Sequence, residues 1–339
     1  MYKYFREDIS CLKLLFIGGT GVISSACTEL CVKGGIDLTI LNRGQTSRPV
    51  PANVKHLKAD IRNPEQVKSI LQNDKFDVIV DWIAYTPEHV KNDYKIFKNI
   101  TSQYIFISSA SVYQKPPDSL PIKETEPLVN PIWEYSGNKI QCEQFMVKMF
   151  LENNFPVTIV RPSHTYDRTK IALSGGYTAL HRIREGKKVI IHGDGTSLWT
   201  LTHHKDFATG FMALLGNSKA IGEAYHITSD EVLTWNQICI IFAEAIGVQP
   251  NIVHIPSDFI YKFDKEWGEG LLGDKAHSMI FDNMKIKKLN PEFQAKIQFK
   301  EGAKEIIAWY DEDLSRREID KNWNSKMDEI IGHFESLTR

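Results

Sequence analysis

Tyr135 and Lys139 are the pair of side chains in this sequence with the clearest capacity for acid–base chemistry. A spacing of four residues places both on one face of a helix, where the ammonium can lower the pKa of the phenol and bind a cofactor sugar at once. Ser109 precedes Tyr135 by 26 residues and follows an apolar run typical of a buried strand. Tyr94 and Lys98 share the spacing but come before that strand, so the order of elements favours Tyr135 as the catalytic residue. The alternative is a surface coincidence.

A glycine-rich segment near the start of the chain predicts a phosphate-binding turn. Residues 14–17 are apolar, and the glycines from Gly18 to Gly21 follow them before Val22 and Ile23 begin a run at helical spacing. In a strand–turn–helix of this kind, the glycines let the backbone approach a pyrophosphate and the helix N-terminus supplies oriented N–H groups. A dinucleotide is the expected ligand. A tight turn without a ligand is the alternative.

The end of the second predicted strand bears on the choice of dinucleotide. Residues 37–41 read as a strand that ends at Asn42 and Arg43, where an acidic side chain would bind the ribose diol of NAD. No acid is present there, and the Arg43 guanidinium can pair with a 2′-phosphate. The sequence therefore favours NADP(H) as cofactor and leaves NAD(H) open, because Arg43 also reads as an ordinary exposed loop arginine.

The composition is that of an ordinary globular protein. With 339 residues, 42% hydrophobic residues and a net charge of −1, the chain can bury one large core or two joined lobes. The near-zero charge argues against nucleic acid as a partner. No apolar run approaches the roughly 18 residues of a membrane span, and acids at Glu7 and Asp8 argue against a secretion signal, so a cytoplasmic protein is expected. Five cysteines without a Cys-x-x-Cys pair favour neither disulfides nor zinc.

Strand and helix patterns alternate through the first half of the chain. This alternation predicts an α/β fold, a Rossmann-type doubly wound parallel sheet with a smaller C-terminal α/β substrate lobe. The predicted strands are residues 13–17, 38–41, 54–57, 76–82, 104–108, 156–162 and 224–228. We expect a dinucleotide-binding domain over 11–167 with a return segment near 203–230. Residues 168–202 and 231–339 would form the substrate-binding lobe.

With these parts in order, the chain resembles the extended short-chain dehydrogenase/reductases, in particular their NAD(P)-dependent epimerase/dehydratase branch, of which it would be an atypical member. Supporting segments are residues 59–62 (Ala-Asp-Ile-Arg), residues 108–113 (Ser-Ser-Ala-Ser-Val-Tyr), the Arg161-Pro162 strand end and the turn at residues 203–206. The likeness covers most of the length. It implies a homodimer formed through the Tyr135 helix.

The resemblance also implies which residues surround the cofactor. Gly18, Gly21 and the region of Ser24 would bind the pyrophosphate, Asp60 and Ile61 the adenine, Trp82, Ile83 and Ala84 the ribose, Lys139 the nicotinamide ribose, and Pro162 and Ser163 the carboxamide.

Three departures from the family pattern affect the expected function. Ser24 replaces the third glycine of the turn, and a small residue still fits there. Ala110 and Ser111 stand where family dehydratases carry an Asp-Glu pair, which disfavours dehydration. Trp199 stands where nucleotide-sugar enzymes place an arginine against the diphosphate. A compensating charge could come from Arg161, Lys205, Lys275 or His277, and spacing does not choose among them.

These observations predict hydride transfer at a hydroxyl or keto carbon of a sugar, nucleotide sugar or sugar-like metabolite. Tyr135 would carry the proton, Ser109 would bind the reacting oxygen and Lys139 would orient the cofactor. Candidate substrate contacts are Tyr85, Trp133, His164 and Trp199, with plain core packing as the alternative. The adjacent histidines at 203 and 204 would face opposite sides of a strand, so no metal is expected. The rival reading is an RNA-binding or cofactor-sensing member of the same fold without redox turnover.

Overall fold

A central parallel sheet organises the N-terminal half of the protein in the computed structural model, which describes residues 9–72 and 74–337. Residues 1–8, whose acids argue against a secretion signal, lie outside the described residues. In chain order the strands are β1 Lys13–Ile17, β2 Asp37–Asn42, β3 Lys55–Lys58, β4 Phe76–Asp81, β5 Thr101–Ile107, β6 Val157–Pro162, β7 His164–Tyr166, β8 Lys188–His192, β9 Leu198–Trp199, β10 Leu201–His203, β11 Ala224–Ile227, β12 Leu233–Thr234 and β13 Asn251–Ile255.

The large sheet has the strand order β3-β2-β1-β4-β5-β6-β11, and every neighbouring pair is parallel. The strand β1 lies at the point where the order reverses, with Leu14 opposite Leu38 of β2 on one side and Val78 of β4 on the other. The predicted doubly wound parallel sheet is therefore confirmed. In such sheets a crevice opens beyond the carboxyl ends of the strands at the reversal point, and this crevice is where ligands bind.

Helices cover both faces of the large sheet and build most of the second lobe. They are α1 Val22–Lys33, α2 Pro64–Leu71, α3 Pro87–Phe97, α4 Glu134–Asn153, α5 Tyr177–Arg184, α6 His204–Phe211, α7 Trp235–Ile246, α8 Ser257–Phe263, α9 Lys265–Gly270, α10 Met284–Leu289, α11 Phe299–Glu312 and α12 Lys321–Leu337. None of the helices within the described ranges is long and apolar enough to span a membrane.

The burial pattern of β1 explains the layering. Leu14 and Phe16 pack with α1 and α6 on one face of the sheet, while Leu15 and Ile17 pack with α2, α3 and α4 on the other. All four side chains are fully buried. A strand with apolar residues on both faces requires cover on both sides, which is why its sequence is an unbroken apolar run.

The second lobe has its own apolar core. Two short parallel pairs, β8 with β13 and β7 with β10, and one antiparallel pair, β9 with β12, pack against α5, α7, α11 and α12. The helix α7 begins with a capping box, in which Thr234 accepts from the Gln237 N–H, and ends at Gly247, whose φ is +84°. Its buried face includes Trp235 and Phe242, and the Trp235 indole packs against Trp199 with ring centroids 5.2 Å apart.

Candidate active site

A cleft of about 850 Å³ opens at the carboxyl ends of the sheet strands, where the strand order reverses. Nearly all of the predicted cofactor residues line it: Gly18, Gly21, Val22, Ile23, Asn42, Arg43, Asp60, Ile61, Trp82, Ile83, Lys139, Pro162 and Ser163. Ala84 does not line the cleft, because its side chain is fully buried. The volume lies in the range of about 300–1,000 Å³ typical of ligand sites.

The glycine turn after β1 has the backbone that a pyrophosphate needs. Gly18 and Gly19 have φ values of +104° and +83°, a region that side-chain-bearing residues rarely adopt. Ser24, the replaced third glycine, is buried and its Oγ accepts a hydrogen bond from the Gly21 N–H at 2.7 Å. The first-turn N–H groups of α1, at Val22 and Ile23, then lie at the cleft with no partner inside the helix. The turn fits a dinucleotide.

The end of β2 differs from an NAD-type ribose site. Asn42 Nδ2 donates to the Gly18 carbonyl at 3.1 Å, and its Oδ1 accepts from the Gly44 N–H at 2.8 Å. Asn42 therefore stabilises the glycine turn, and its side-chain amide is already hydrogen-bonded at both ends instead of being free for a ribose hydroxyl. The exposed Arg43 lines the cleft beside it and makes no ion pair or hydrogen bond with the described residues. A guanidinium in this state is available to a ligand.

Arg62 is a cleft residue that sequence reasoning did not assign to the cofactor. Its side chain crosses from the β3–α2 loop and donates to the Ile83 carbonyl beyond β4. The Asp60 carboxylate accepts from the Arg62 N–H at 2.9 Å. Only the Ala-Asp-Ile-Arg segment could have indicated this residue, because its partner is 21 positions away in the chain.

A buried pair of acids holds the loop after β4. The Asp81 carboxylate accepts from the N–H groups of Ile83 at 2.6 Å and Ala84 at 2.9 Å. Burial and the nearby Asp81 charge raise the pKa of Asp93 well above its ordinary value, while Tyr104 donates to Asp93 at 2.9 Å. Both effects favour the protonated form of Asp93. This arrangement fixes the carbonyl of Ala84, which Lys139 uses.

Ser109, Tyr135 and Lys139 come together at the floor of the cleft. The Lys139 ammonium is buried and donates to the carbonyls of Ala84 at 2.6 Å and Ile107 at 2.8 Å. It lies 5.9 Å from the centre of the Tyr135 ring. An ammonium has three donors, so one remains for a cofactor hydroxyl.

The ionisation of this group differs from the sequence expectation. Burial raises the pKa of Tyr135 to about 12, and a hydrogen bond with Ser109 only partly opposes this. Burial also lowers the pKa of Lys139 to about 8. The expectation that Lys139 lowers the pKa of the phenol is therefore wrong for this structure, because the ammonium is bound by two carbonyls and the ring has lost its hydration. Tyr135 is a neutral phenol at pH 7.

Tyr94, the competing tyrosine, lies in α3 away from the cleft. Its ring packs edge-on against Phe155 and Phe145, with centroids 5.2 and 6.1 Å away. Lys98 lies over the same ring at 5.6 Å and is exposed. These contacts make Tyr94 a packing residue, although it shares its spacing with the Tyr135 pair.

A second cavity of about 360 Å³ adjoins the cleft at Tyr135. Among the predicted substrate contacts, Trp133, His164 and Trp199 line this cavity, whereas Tyr85 lines the cleft instead, with the Lys139 ammonium 4.8 Å from its ring centre. Ser109, Tyr135, Pro162, Ser163 and Thr165 line both cavities. The cavity is hereafter called the side pocket.

Trp199 and His164 form one wall of the side pocket. Trp199 is 3% exposed, packs against Trp235 with centroids 5.2 Å apart, and donates from Nε1 to His164 Nδ1 at 3.0 Å. Burial, with the positive charges of Lys275 and Lys170 nearby, lowers the pKa of His164 to about 3. His164 is therefore neutral, and because Nδ1 accepts, its proton is on Nε2.

Arg161, one of the residues that could have compensated for the missing arginine, serves the core instead. It is 5% exposed and pairs with Glu143 at 2.6 Å, while its second arm donates to the Glu124 carbonyl at 2.9 Å. The hypothesis that Arg161 supplies the compensating positive charge for a substrate anion is therefore wrong. His277 and Lys205 do not line the side pocket, and Lys275 does.

The adjacent histidines at positions 203 and 204 end β10 and begin α6. No cluster of three or more metal-ligating side chains occurs among the described residues.

Residues 14–228 match the model of the NAD dependent epimerase/dehydratase family. The chain belongs to this family. It is 30% identical over 262 residues to the chloroplast stem-loop binding protein of 41 kDa b of Arabidopsis thaliana, covering 73% of this chain and 67% of that protein. It is 32% identical over 153 residues to UDP-glucose 4-epimerase of Lactobacillus helveticus, covering 40% and 46%.

Solved structures share the fold of this family member. The dTDP-glucose 4,6-dehydratase of Bacillus anthracis, solved in complex with NAD, superposes with a TM-score of 0.72 at 18% identity over 90% of this chain and 98% of the other. At this identity the likeness shows a shared fold over the 90% of this chain that is covered.

Proposed function

We propose that the protein is an NAD(P)-dependent oxidoreductase or epimerase that transfers a hydride at a hydroxyl or keto carbon of a sugar or sugar-like metabolite. One observation carries this proposal: Ser109 and Tyr135 line both the dinucleotide-sized cleft and the side pocket. A substrate oxygen at this junction would reach the hydroxyl and the phenol while its carbon faces the cleft. UDP-glucose 4-epimerase among the relatives supports the class of reaction.

The residues at the junction have separable tasks. Ser109 Oγ donates to Ser111 Oγ at 3.0 Å and accepts from the Ser111 N–H at 3.2 Å, which holds the hydroxyl at the junction, and there it would bind the reacting oxygen. The neutral Tyr135 phenol would give its proton to that oxygen in the reducing direction, with rate assistance of about 10²–10⁴. Lys139 would hold a cofactor hydroxyl with its third donor. A bound nicotinamide supplies or accepts the hydride.

NADP(H) is the proposed preferred cofactor. Asn42 is occupied with the backbone of Gly18 and Gly44, and the free Arg43 guanidinium suits a 2′-phosphate. The family match alone supports only a nicotinamide dinucleotide.

A homodimer through α4 is part of the proposal. Val147 and Leu151 are four residues apart on this helix and are 42% and 72% exposed, which makes an apolar stripe suited to a second copy. Light scattering should give twice the chain mass, and Leu151→Glu should give the monomer; a monomeric wild type would contradict this part.

Stem-loop RNA binding is the second candidate, and the Arabidopsis thaliana relative favours it. The Ser109, Tyr135 and Lys139 group and the net charge of −1 favour the enzyme. Filter binding to an RNA hairpin across a salt series separates the two, because a real RNA site has a steep salt slope.

Mass spectrometry of the small molecules retained by the purified protein tests the enzyme proposal. We expect a nicotinamide dinucleotide, and when a panel of sugars and hydroxy or keto compounds is added we expect either a change in its redox state or epimerisation of a panel compound. A protein that neither retains nor binds a dinucleotide would refute the proposal.

A further inference from the structure

The side pocket carries more positive than negative charge. Its lining includes Lys170, Lys275 and Asp274 as charged side chains, and the neutral His164. The two lysines are close enough for each to act on the other, and the charge of Lys170 opposes protonation of Lys275. Lys170 is exposed and Lys275 is half-buried, so both ammonium groups can attract an anion to this cavity.

Lys275 has no carboxylate partner of its own. No Asp or Glu oxygen of the described residues lies within 4.0 Å of its Nζ, whose contacts are the Gly270 carbonyl at 3.4 Å and the face of Trp133, 5.3 Å from the ring centre. Lys275 is half-buried, and burial lowers the pKa of its ammonium. A buried charge without a partner is costly in a folded protein, and a ligand anion would remove that cost.

Asp274 supplies only part of the counter-charge: its carboxylate raises the pKa of the Lys275 ammonium, but its ion pair is with a different lysine. Lys115, which does not line the pocket, has its Nζ 3.3 Å from Asp274 Oδ1, and both side chains are largely buried. Lys115 also donates to the Tyr113 carbonyl at 3.0 Å. One carboxylate shared among Lys115, Lys275 and the nearby Lys170 leaves positive charge in excess at the pocket.

The backbone of Lys275 is held rigidly. Its carbonyl accepts hydrogen bonds from His192 Nε2 at 3.0 Å, Ser197 Oγ at 3.1 Å and Trp235 Nε1 at 3.2 Å. Three donors from three separate elements fix one peptide group, so the side chain starts from a constant position. Such support is what a preorganised binding group requires.

We propose that the side pocket binds a compact substrate carrying one anionic group, a carboxylate or a phosphate, which Lys275 and Lys170 bind while Trp133 and Trp199 flank its apolar face. The cavity of about 360 Å³ is near the lower end of the range of about 300–1,000 Å³ for ligand sites, which suits a single sugar-sized unit. This inference rests on the proposed function and specifies the substrate class of the same site. It assigns to Lys275 and Lys170 the positive charge that Trp199, at the position of the family arginine, does not supply.

Calorimetry with dinucleotide-saturated protein tests the inference. The probes are galactose, galacturonate, galactose 1-phosphate, UDP-galactose and inorganic phosphate, titrated into wild type, Lys275→Met, Lys170→Met and Lys275→Arg. Lys262→Met is the matched control, because Lys262 is exposed on α8 outside the pocket. We expect an anionic sugar to bind more tightly than galactose, with a loss of about 10- to 150-fold in Lys275→Met. Lys170→Met should lose less, and Lys275→Arg should retain most of the affinity.

The outcomes separate this inference from the proposed function. Galacturonate and galactose 1-phosphate distinguish a carboxylate from a phosphate as the bound group. If no anion binds more tightly than galactose, or if the anion preference survives in both Lys275→Met and Lys170→Met, the inference is overturned. Tighter binding of UDP-galactose than of both compact anions overturns the compact-substrate part. Anion binding through Lys275 with neither a change in the redox state of the cofactor nor epimerisation of any bound sugar would uphold the site and refute the proposed function.

Discussion

Replacing Lys139 with methionine should change how the stability of the protein depends on pH. The ammonium is 2% exposed and is held between the carbonyls of Ala84 and Ile107. Burial lowers its pKa to about 8 from an ordinary value of 10.5. The unfolded chain therefore binds this proton more tightly than the folded protein does.

The sign and size of the stability change follow from the difference between the folded and unfolded pKa values of Lys139. A base whose pKa is lowered by folding destabilises the fold below the folded pKa, and this penalty disappears as the pH rises to the unfolded pKa. Over the window from about 8 to 10.5 the wild type should gain about 3 kcal/mol relative to Lys139→Met. Methionine is uncharged at every pH, so it should show no such gain.

Urea unfolding of both proteins at a series of pH values between about 7 and 11 measures this gain. Taking the difference between wild type and variant cancels the titration of the buried tyrosines and of the other lysines. Lys98→Met is the control, because Lys98 is exposed and also lies four residues after a tyrosine; its difference from wild type should stay flat. A flat difference for Lys139→Met as well would refute the argument that Lys139 is a desolvated ammonium.

Two further predictions concern the cofactor cleft. Arg43→Ala should weaken NADP(H) binding by about 10-fold or more and leave NAD(H) affinity nearly unchanged; calorimetry with both cofactors checks this, and equal wild-type affinities would contradict it. Gly19→Ala should lose stability and dinucleotide affinity, because φ is +83° and a Cβ would lie 3.0 Å from Ile40 Cδ1. Gly35→Ala, at φ +68° with nothing within 4 Å, should lose only about 1–2 kcal/mol of stability and keep its affinity, as denaturant unfolding and titration would show.

The sheet could be predicted from sequence because its strands have local signals. The run from Leu14 to Ile17 is apolar on both faces and ends at glycines, and β6 ends at Pro162 in the same way. The predicted strand bounds are less accurate where the hydrophobic pattern of the sequence is weak. The strand β5 begins at Thr101, three residues before the predicted start, because Thr101 and Ser102 are polar residues at the less buried end of the strand, where hydrophobicity gives no indication.

The electrostatics of the site could not be predicted, because they depend on burial and on partners distant in the chain. Tyr135 and Lys139 have the expected spacing, but the carbonyls that bind the ammonium come from Ala84 and Ile107. Lys275 was one of four candidate charges in the sequence, and only the folding of the second lobe against the sheet places it at the side pocket. Spacing along a helix therefore predicts which residues meet, and the tertiary environment decides their charge.

The most direct test of the proposed function is to measure turnover and dinucleotide affinity of Tyr135→Phe on the same preparation, with Tyr94→Phe as control. Phenylalanine keeps the ring and removes the hydroxyl that would carry the proton, so turnover of a panel substrate should fall by about 10²–10⁴ while dinucleotide affinity stays within a few-fold. Tyr94→Phe should leave both values near wild type, because Tyr94 packs against Phe145 and Phe155 in α3. A Tyr135→Phe variant that keeps more than about a tenth of the wild-type rate would contradict the assignment of Tyr135 as the proton carrier.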